Sequence, residues 1–249
     1  MTHPSFAALA ITAGLVASCG NPDHISVDLD ITGANQAVII RLDGQNLIPY
    51  DTLAITDKLM LELPLDSTRN TFYNVLFNTG SFIRIGLSDG DDITGYVDAS
   101  HSLADYQIEG SAISQQLHAL YQPVQQSNVV LDSLEARRNQ LRGDEGNPLE
   151  REITHRQVMQ SQYKVHRLAL DQIMASDSSN LANVFGFFQR FAQVPLYQIP
   201  EDLALQMAYA EALIKAHPNH PLVQLFANQL ASYLSEIEEA PASQQNPHK

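Results

Sequence analysis

From Ile25 to Glu109 the chain alternates apolar and polar residues with period two. Ile25, Val27, Leu29 and Ile31 alternate with Ser26, Asp28 and Asp30, and Leu59, Leu61, Leu63 and Leu65 alternate with Met60, Glu62 and Pro64. Successive side chains of a strand point to opposite faces, so each run predicts a strand with one buried face. Val38 to Leu42 is a third run and ends on the turn pair Asp43-Gly44. Phe82, Ile83, Ile85 and Leu87 lead into Ser88-Asp89-Gly90-Asp91, Ile93 to Val97 predicts a further short strand, and Tyr106 to Ile108 a last one. Seven or eight short strands at about 10-residue spacing predict a small antiparallel sandwich or barrel.

At Gly110-Ser111 the period changes to that of a helix. Ser111 is a candidate N-cap, and Ile113, Leu117, Leu120, Tyr121 and Val124 follow at helical spacing. Leu131, Leu134, Arg138 and Leu141 suggest a second amphipathic stretch, and Gly143 to Pro148 interrupts it. Leu149 to Ala175 reads as one long helix and Ser176 to Asn180 as a loop. Leu181 to Val194 is an aromatic-rich buried segment. Glu201 to Ala216 and Pro221 to Ile237 give two more helices, joined through His217 to Pro221. The polar tail 240–249 is expected to be disordered. No repeat of fixed period occurs.

Charge changes this picture in one respect. The 249 residues carry 14 Lys and Arg against 28 Asp and Glu, a net charge of −14. Residues 20–110 hold four of the basic and 14 of the acidic side chains, a local net charge of −10. A phosphate backbone repels such a surface, so the expectation is no nucleic-acid partner. One Cys and no Trp are present. An internal disulfide, a C-x-x-C pair and a thiolate metal cluster are therefore excluded.

That single cysteine falls at an informative place. Phe6 to Ser18 is 13 residues without a charge, short for a bilayer span but suited to the apolar region of a signal peptide. Val16-Ala17-Ser18-Cys19 follows the pattern of a bacterial lipobox: an aliphatic residue, two small ones, then the cysteine whose thiol takes a diacylglyceryl group. Residues 1–5 contain no Lys or Arg, a departure from the usual cationic start, and the alternative is a buried N-terminal helix with an incidental thiol. With the lipobox, Cys19 is the lipidation site and carries three palmitate-type acyl chains. Each buried methylene contributes about 0.8 kcal/mol, so three chains hold the protein to a membrane essentially permanently. Gly20 to Asp23 then form a short tether.

Several short motifs resemble a known family. Ile31-Thr32-Gly33, Asp51-Thr52-Leu53, Phe72-Tyr73-Asn74-Val75, Asp89-Gly90-Asp91-Asp92-Ile93 and Tyr106 to Ser111 occur in this order after the lipobox. Together they resemble the N-terminal domain of unknown function that precedes a thioredoxin-like domain in envelope lipoproteins of Bacteroidetes-type bacteria. The helical region is similar to the linker that follows in those proteins, and the resemblance covers about residues 19–239. It implies a β-rich domain, a helical region and an address in the cell envelope. The redox members continue into a thioredoxin domain with C-x-x-C, which is not part of this sequence. Disulfide exchange needs a thiolate and a resolving partner, so the oxidoreductase activity of the family does not carry over.

His217 and His220 sit three apart in a proline-bracketed turn with no nearby acid, which reads as an exposed connection between helices rather than a metal pair. His155 and His166 share a helix face but stand about 16 Å apart, too far for one ion. Asp89, Asp91 and Asp92 around Gly90 resemble part of a calcium loop but lack the later ligands, so a charged hairpin turn is expected. Asp28 and Asp30 read as a solvated outer face. Tyr50, Tyr73 and Tyr96 could form a sugar platform or, more ordinarily, sandwich core and rim. Phe185, Phe187, Phe188 and Phe191 read as core packing. No G-x-S-x-G, H-E-x-x-H, P-loop or dinucleotide motif occurs.

The resulting expectation is an α+β lipoprotein. Residues 1–18 are a signal peptide, 19–24 a lipidated tether, 25–110 an antiparallel β-sandwich-like domain, 111–239 a helical domain, and 240–249 the tail. The expected function is a non-enzymatic binding or scaffold module, held to the membrane by Cys19, facing the periplasm or the cell surface, with an envelope protein as partner. No cofactor, metal or catalytic residue is assigned. The alternative, which rests on the resemblance, is an accessory component of thiol–disulfide or stress handling that works with a separate thioredoxin-like partner.

Overall fold

A computed structural model describes residues 24–44, 46–64, 70–140 and 148–239. The signal segment, Cys19, most of the Gly143–Pro148 break and the tail lie outside the described residues. The first half contains eight strands: β1 (His24–Thr32), β2 (Gln36–Asp43), β3 (Asn46–Ala54), β4 (Lys58–Pro64), β5 (Thr71–Phe77), β6 (Phe82–Leu87), β7 (Asp92–Asp98) and β8 (Asp105–Glu109). They form two four-stranded sheets, ordered β4-β1-β7-β8 and β3-β2-β5-β6. The fold is α+β, with both sheets in the N-terminal part and helices following.

The period-two residues lie between the sheets. Val27, Leu29, Leu59, Leu63, Ile39, Val75, Ile83 and Ile85 are all buried in one cluster. On the outside of the first sheet, Lys58 binds Asp28 at 3.1 Å and Asp30 at 3.4 Å, so the two acids do line a solvated face.

Two features depart from simple alternation. The sandwich is not antiparallel throughout: β1 pairs with β7 in parallel, Ser26 opposite Asp92 through Thr32 opposite Asp98. Each successive strand reverses direction, so odd-numbered strands point the same way, and the open side of β1 receives an odd-numbered neighbour. In addition, β3 shows no alternation because it is exposed along almost its whole length. It is the edge of its sheet, interrupted by Pro49 and by a register shift opposite Ile39/Ile40. Both devices discourage pairing with another chain.

The switch to helix is built from two glycines and two serines. Gly110 has φ +85°, and a Cβ there would stand 1.7 Å from the Asp92 carbonyl oxygen. The Ser111 hydroxyl accepts from the Ser114 amide at 3.3 Å, the expected N-cap, and donates to the Gly86 carbonyl at 2.8 Å. The Ser114 hydroxyl accepts from the Gly86 amide and donates to the same carbonyl. Ile113 lies against Gly86, where a Cβ would come within 2.3 Å of its side chain.

The helical half comprises α1 (Ala112–Gln140), α2 (Pro148–Ser176), α3 (Asn183–Phe187), a small hairpin of β9 (Arg190–Phe191) and β10 (Val194–Pro195), α4 (Leu203–Ala216) and α5 (Pro221–Glu239). The two stretches expected on either side of residue 127 are one helix. Pro123 sits inside α1, where its missing N–H costs one backbone bond without ending the helix. α1 starts beside the end of β6 and climbs the flank of the sandwich until the Gln125 side chain donates to the Ala104 carbonyl at 2.7 Å, just before β8 begins. Its buried residues stop at Ser127 and those of α2 begin at His166. Leu131, Met159 and Tyr163 still pack partly against the core, and the stretches of both helices beyond them form an arm. Phe72 of β5 belongs to the helical core with Ile113, Leu120, Phe187 and Phe226, which joins the two halves.

Candidate functional site

Three polar constellations stand out in the fold, and the first has the look of a catalytic site. Ser127 of α1 and His166 of α2 meet at 2.8 Å through Nδ1, and His166 Nε2 meets Gln189 Oε1 at 2.9 Å. Gln189 Nε2 donates to the Leu120 carbonyl at 2.8 Å, which turns its Oε1 toward the histidine. His166 Nε2 therefore carries the proton, and Nδ1 accepts from the Ser127 hydroxyl. This is the geometry of a serine with its base and an orienting amide. However, Ser127 is 2% and His166 1% exposed, and a nucleophile needs room for a reacting atom about 3 Å away. Burial pushes the His166 imidazole below the usual histidine range, against the Gln189 bond that favours its charged form. The triplet is a neutral, satisfied tie between α1, α2 and the segment after α3.

The second constellation fastens the irregular segment 190–202 to α2. Arg167 Nη2 donates to Asp202 Oδ1 at 2.9 Å, Nη1 to the Leu196 carbonyl at 2.7 Å, and Nε to Asp171 Oδ1 at 3.1 Å. Its guanidinium carbon lies 3.8 Å from the centre of the Tyr197 ring, and the Tyr197 hydroxyl donates to Asp171 at 2.9 Å. Burial opposes the Arg167 charge, yet the two carboxylates hold the group above its ordinary range. All three nitrogens of the fork donate within the protein, so the cluster offers little to a ligand.

The third lies where the halves meet. A shallow, open cleft is bordered by Arg41, Leu42, Thr71, Phe72, Phe185 and His220, among others. His220 is buried rather than part of an exposed connection. Its Nδ1 accepts from the Leu222 amide at 3.2 Å, so Nε2 donates to the Asn70 carbonyl at 2.9 Å. Arg84 lies 4.3 Å from the Phe185 ring centre and donates to Asn74 at 2.8 Å. Burial pushes its guanidinium down to about 10, still charged at neutral pH. The cleft is small and half-apolar, and its side chains chiefly join sheet to helix.

The remaining candidates separate. His217 bonds the Ser179 carbonyl at 3.0 Å, facing away from the His220 contact at Asn70. Among the described residues no group of three His, Cys, Asp or Glu could hold a metal ion. Asp91 accepts from the Ser88 amide at 2.7 Å and shapes the β6–β7 turn, which crosses between the sheets instead of closing a hairpin. Tyr73 is core, while Tyr50 and Tyr96 are half-exposed on different sheets, so no tyrosine platform forms. Phe187 and Phe191 are buried as expected; Phe188 is half-exposed. Cys19 lies outside the described residues. The sequence reading passed over Ser127, Gln189 and the Arg167 cluster. The usable signal was spacing: His166, Leu170 and Met174 recur every four residues, which turns the histidine inward with them.

A comparison with protein-family models finds no match to this chain, and a comparison with curated proteins finds none either.

Proposed function

We propose that this chain is a lipid-anchored envelope protein that serves as a non-enzymatic binding or scaffold module. The observation that carries this reading is the uncharged run Phe6–Ser18 ending at Val16-Ala17-Ser18-Cys19, the only cysteine in the chain. Two further observations support it. Only four residues stand between Cys19 and the first residue of β1, so an acylated cysteine would hold the folded body close to the lipid. No helix among the described residues is long and apolar enough to cross a membrane, so anchorage in this reading falls to the acyl chains.

The binding role draws on the arm formed by the outer parts of α1 and α2. Leu149 and Ile153 are exposed there, among the charged pairs Arg138–Glu135 and Arg156–Glu152. The partner expected is an envelope protein. The test is direct: expressed as the full chain in a bacterial host, the protein takes a metabolic acyl label and sediments with membranes, and Cys19→Ala loses both. Wild type without label, with the variant still in the membrane fraction, would overturn the anchor.

A further inference from the structure

We infer that the tip of the β2–β3 hairpin, through Leu47, Ile48 and Tyr50, rests on the surface of a zwitterionic bilayer when the protein is anchored. The inference deepens the anchored reading and rests on it.

The first step is position. His24 opens β1 opposite Pro64 of β4. The Pro64 carbonyl accepts from the Tyr73 hydroxyl at 2.9 Å, and the Tyr50 ring meets the Tyr73 ring edge-on with centroids 5.8 Å apart. Tyr73 pairs with Arg41, and Arg41 pairs with Ile48. The chain thus enters the fold at the same end of the sandwich as the hairpin tip. From Cys19 to His24 is five residues, which span at most ~17 Å when fully extended. An acylated Cys19 lies in the lipid, so the start of β1 stays within about 17 Å of it and this end of the sandwich is the one held nearest the membrane.

The second step is chemistry. Leu47 is 63%, Ile48 37% and Tyr50 44% exposed, three apolar or amphipathic side chains within four residues on an edge strand. A tyrosine with one wet end suits the headgroup region, and aliphatic neighbours suit the layer just below. In free solution so small a patch binds lipid weakly. On a short tether the local concentration is on the order of millimolar, so a weak contact becomes populated.

The third step is charge. The turn that holds Asp89, Asp91 and Asp92 leads into β7 at Asp92, opposite Ser26 near the start of β1, and residues 20–110 carry four basic and 14 acidic side chains. An anionic lipid surface would repel this end, which selects a zwitterionic one. α1 points the other way: it passes Ala104 at the opposite end of the sandwich and continues through Val129. The hairpin faces the lipid and the arm faces away.

The absence of Trp from the chain supplies a clean reporter. Full-length Leu47→Trp, Tyr50→Trp and, as control, Val129→Trp are purified from membranes, checked for acyl mass and reconstituted into phosphatidylcholine vesicles containing lipid brominated near the headgroup. Trp at 47 and at 50 should shift to the blue and lose emission to bromine, while Trp at 129, a position 65% exposed, should do neither. Vesicle-bound, acylated protein with unquenched Trp at both 47 and 50 overturns the contact and leaves the anchor standing. Equal quenching at 129 overturns it as well, as does quenching that appears only when anionic lipid is added. Protein without acyl mass that fails to float with vesicles overturns the anchor and the contact together.

Discussion

Among the described residues the strand half buries few polar side chains, the hydroxyls of Thr71 and Ser81 and the phenols of Tyr73 and Tyr106, whereas the helical half buries Ser127, His166, Asn180, Asn183, Gln206 and His220 among its apolar residues. Backbone regularity accounts for much of the difference. In the sandwich the ladders satisfy the main chain, and side chains have only to fill space. In the helical half, residues 177–202 are mostly irregular, and main-chain groups need side-chain partners. Asn183 donates to the Asp177 carbonyl at 2.7 Å, and both Arg167 and Tyr163 donate to the Leu196 carbonyl. An irregular segment can be buried when polar side chains complete its hydrogen bonds.

The largest expected effect tests whether the halves stand separately. Phe226 of α5 stacks on Phe187 with centroids 5.3 Å apart and is almost fully buried. Phe226→Ala should destabilise the helical half by about 3–5 kcal/mol. In urea followed by circular dichroism, the helical signal should disappear at lower denaturant than the strand signal. Coincident loss would show that the seam at Phe72 and Gly86 makes one cooperative unit.

Next comes the buried tie. His166→Phe leaves the Ser127 hydroxyl and the Gln189 carbonyl without their partner, at about 1–3 kcal/mol for each group. The wild type should also lose stability as pH falls below about 6.5, because the unfolded chain takes up a proton that the folded site resists. The substitution should flatten that slope without removing it, since burial also holds His118 below the usual range. Denaturant midpoints between pH 5 and 8 read both effects, and an unchanged slope would show that His166 is not a source of it.

Arg167→Lys keeps the charge but not the planar fork that reaches Asp202, Asp171 and the Leu196 carbonyl. A loss of about 1–3 kcal/mol is expected, together with faster proteolysis within 190–202. Protection equal to wild type would mean that the segment is held by its apolar contacts alone. The smallest effect belongs to the sandwich surface. Lys58→Ala removes an ion pair between exposed groups and should leave the thermal midpoint unchanged at physiological salt. A clear shift would mean that charge matters as much in the first half as in the second.

Six of the eight main strands stand out by the apolar pattern of their residues, because a sheet with one buried face writes its burial into alternate positions. β5 does not, since Phe72 faces the helical core while Tyr73 faces the sandwich and both are buried, and β3 carries Leu47, Ile48 and Tyr50 at an edge with no buried face, so it left no alternation to find. The N-cap at Ser111 was equally legible, since a hydroxyl before an apolar helical run has one local use. The long α1 was not: Pro123 and the polar stretch after it read locally as a break, and only packing against β6 and β8 shows that the helix continues. Local spacing could not show that His220 reaches Asn70, a residue 150 positions away.

What the residues alone determined is the division near Gly110 and Ser111, the direction of burial along each strand, the acidic first half, and the expectation of an acylated Cys19. Each follows from periodicity, charge or a contiguous motif, all of which act over a few residues. Tertiary structure decided the parallel pairing of β1 with β7, the meeting of Ser127 with His166, the clasp at Arg167, and the placement of the hairpin tip beside the start of β1. These depend on which distant segments become neighbours, and chain connectivity and packing settle that rather than local preference.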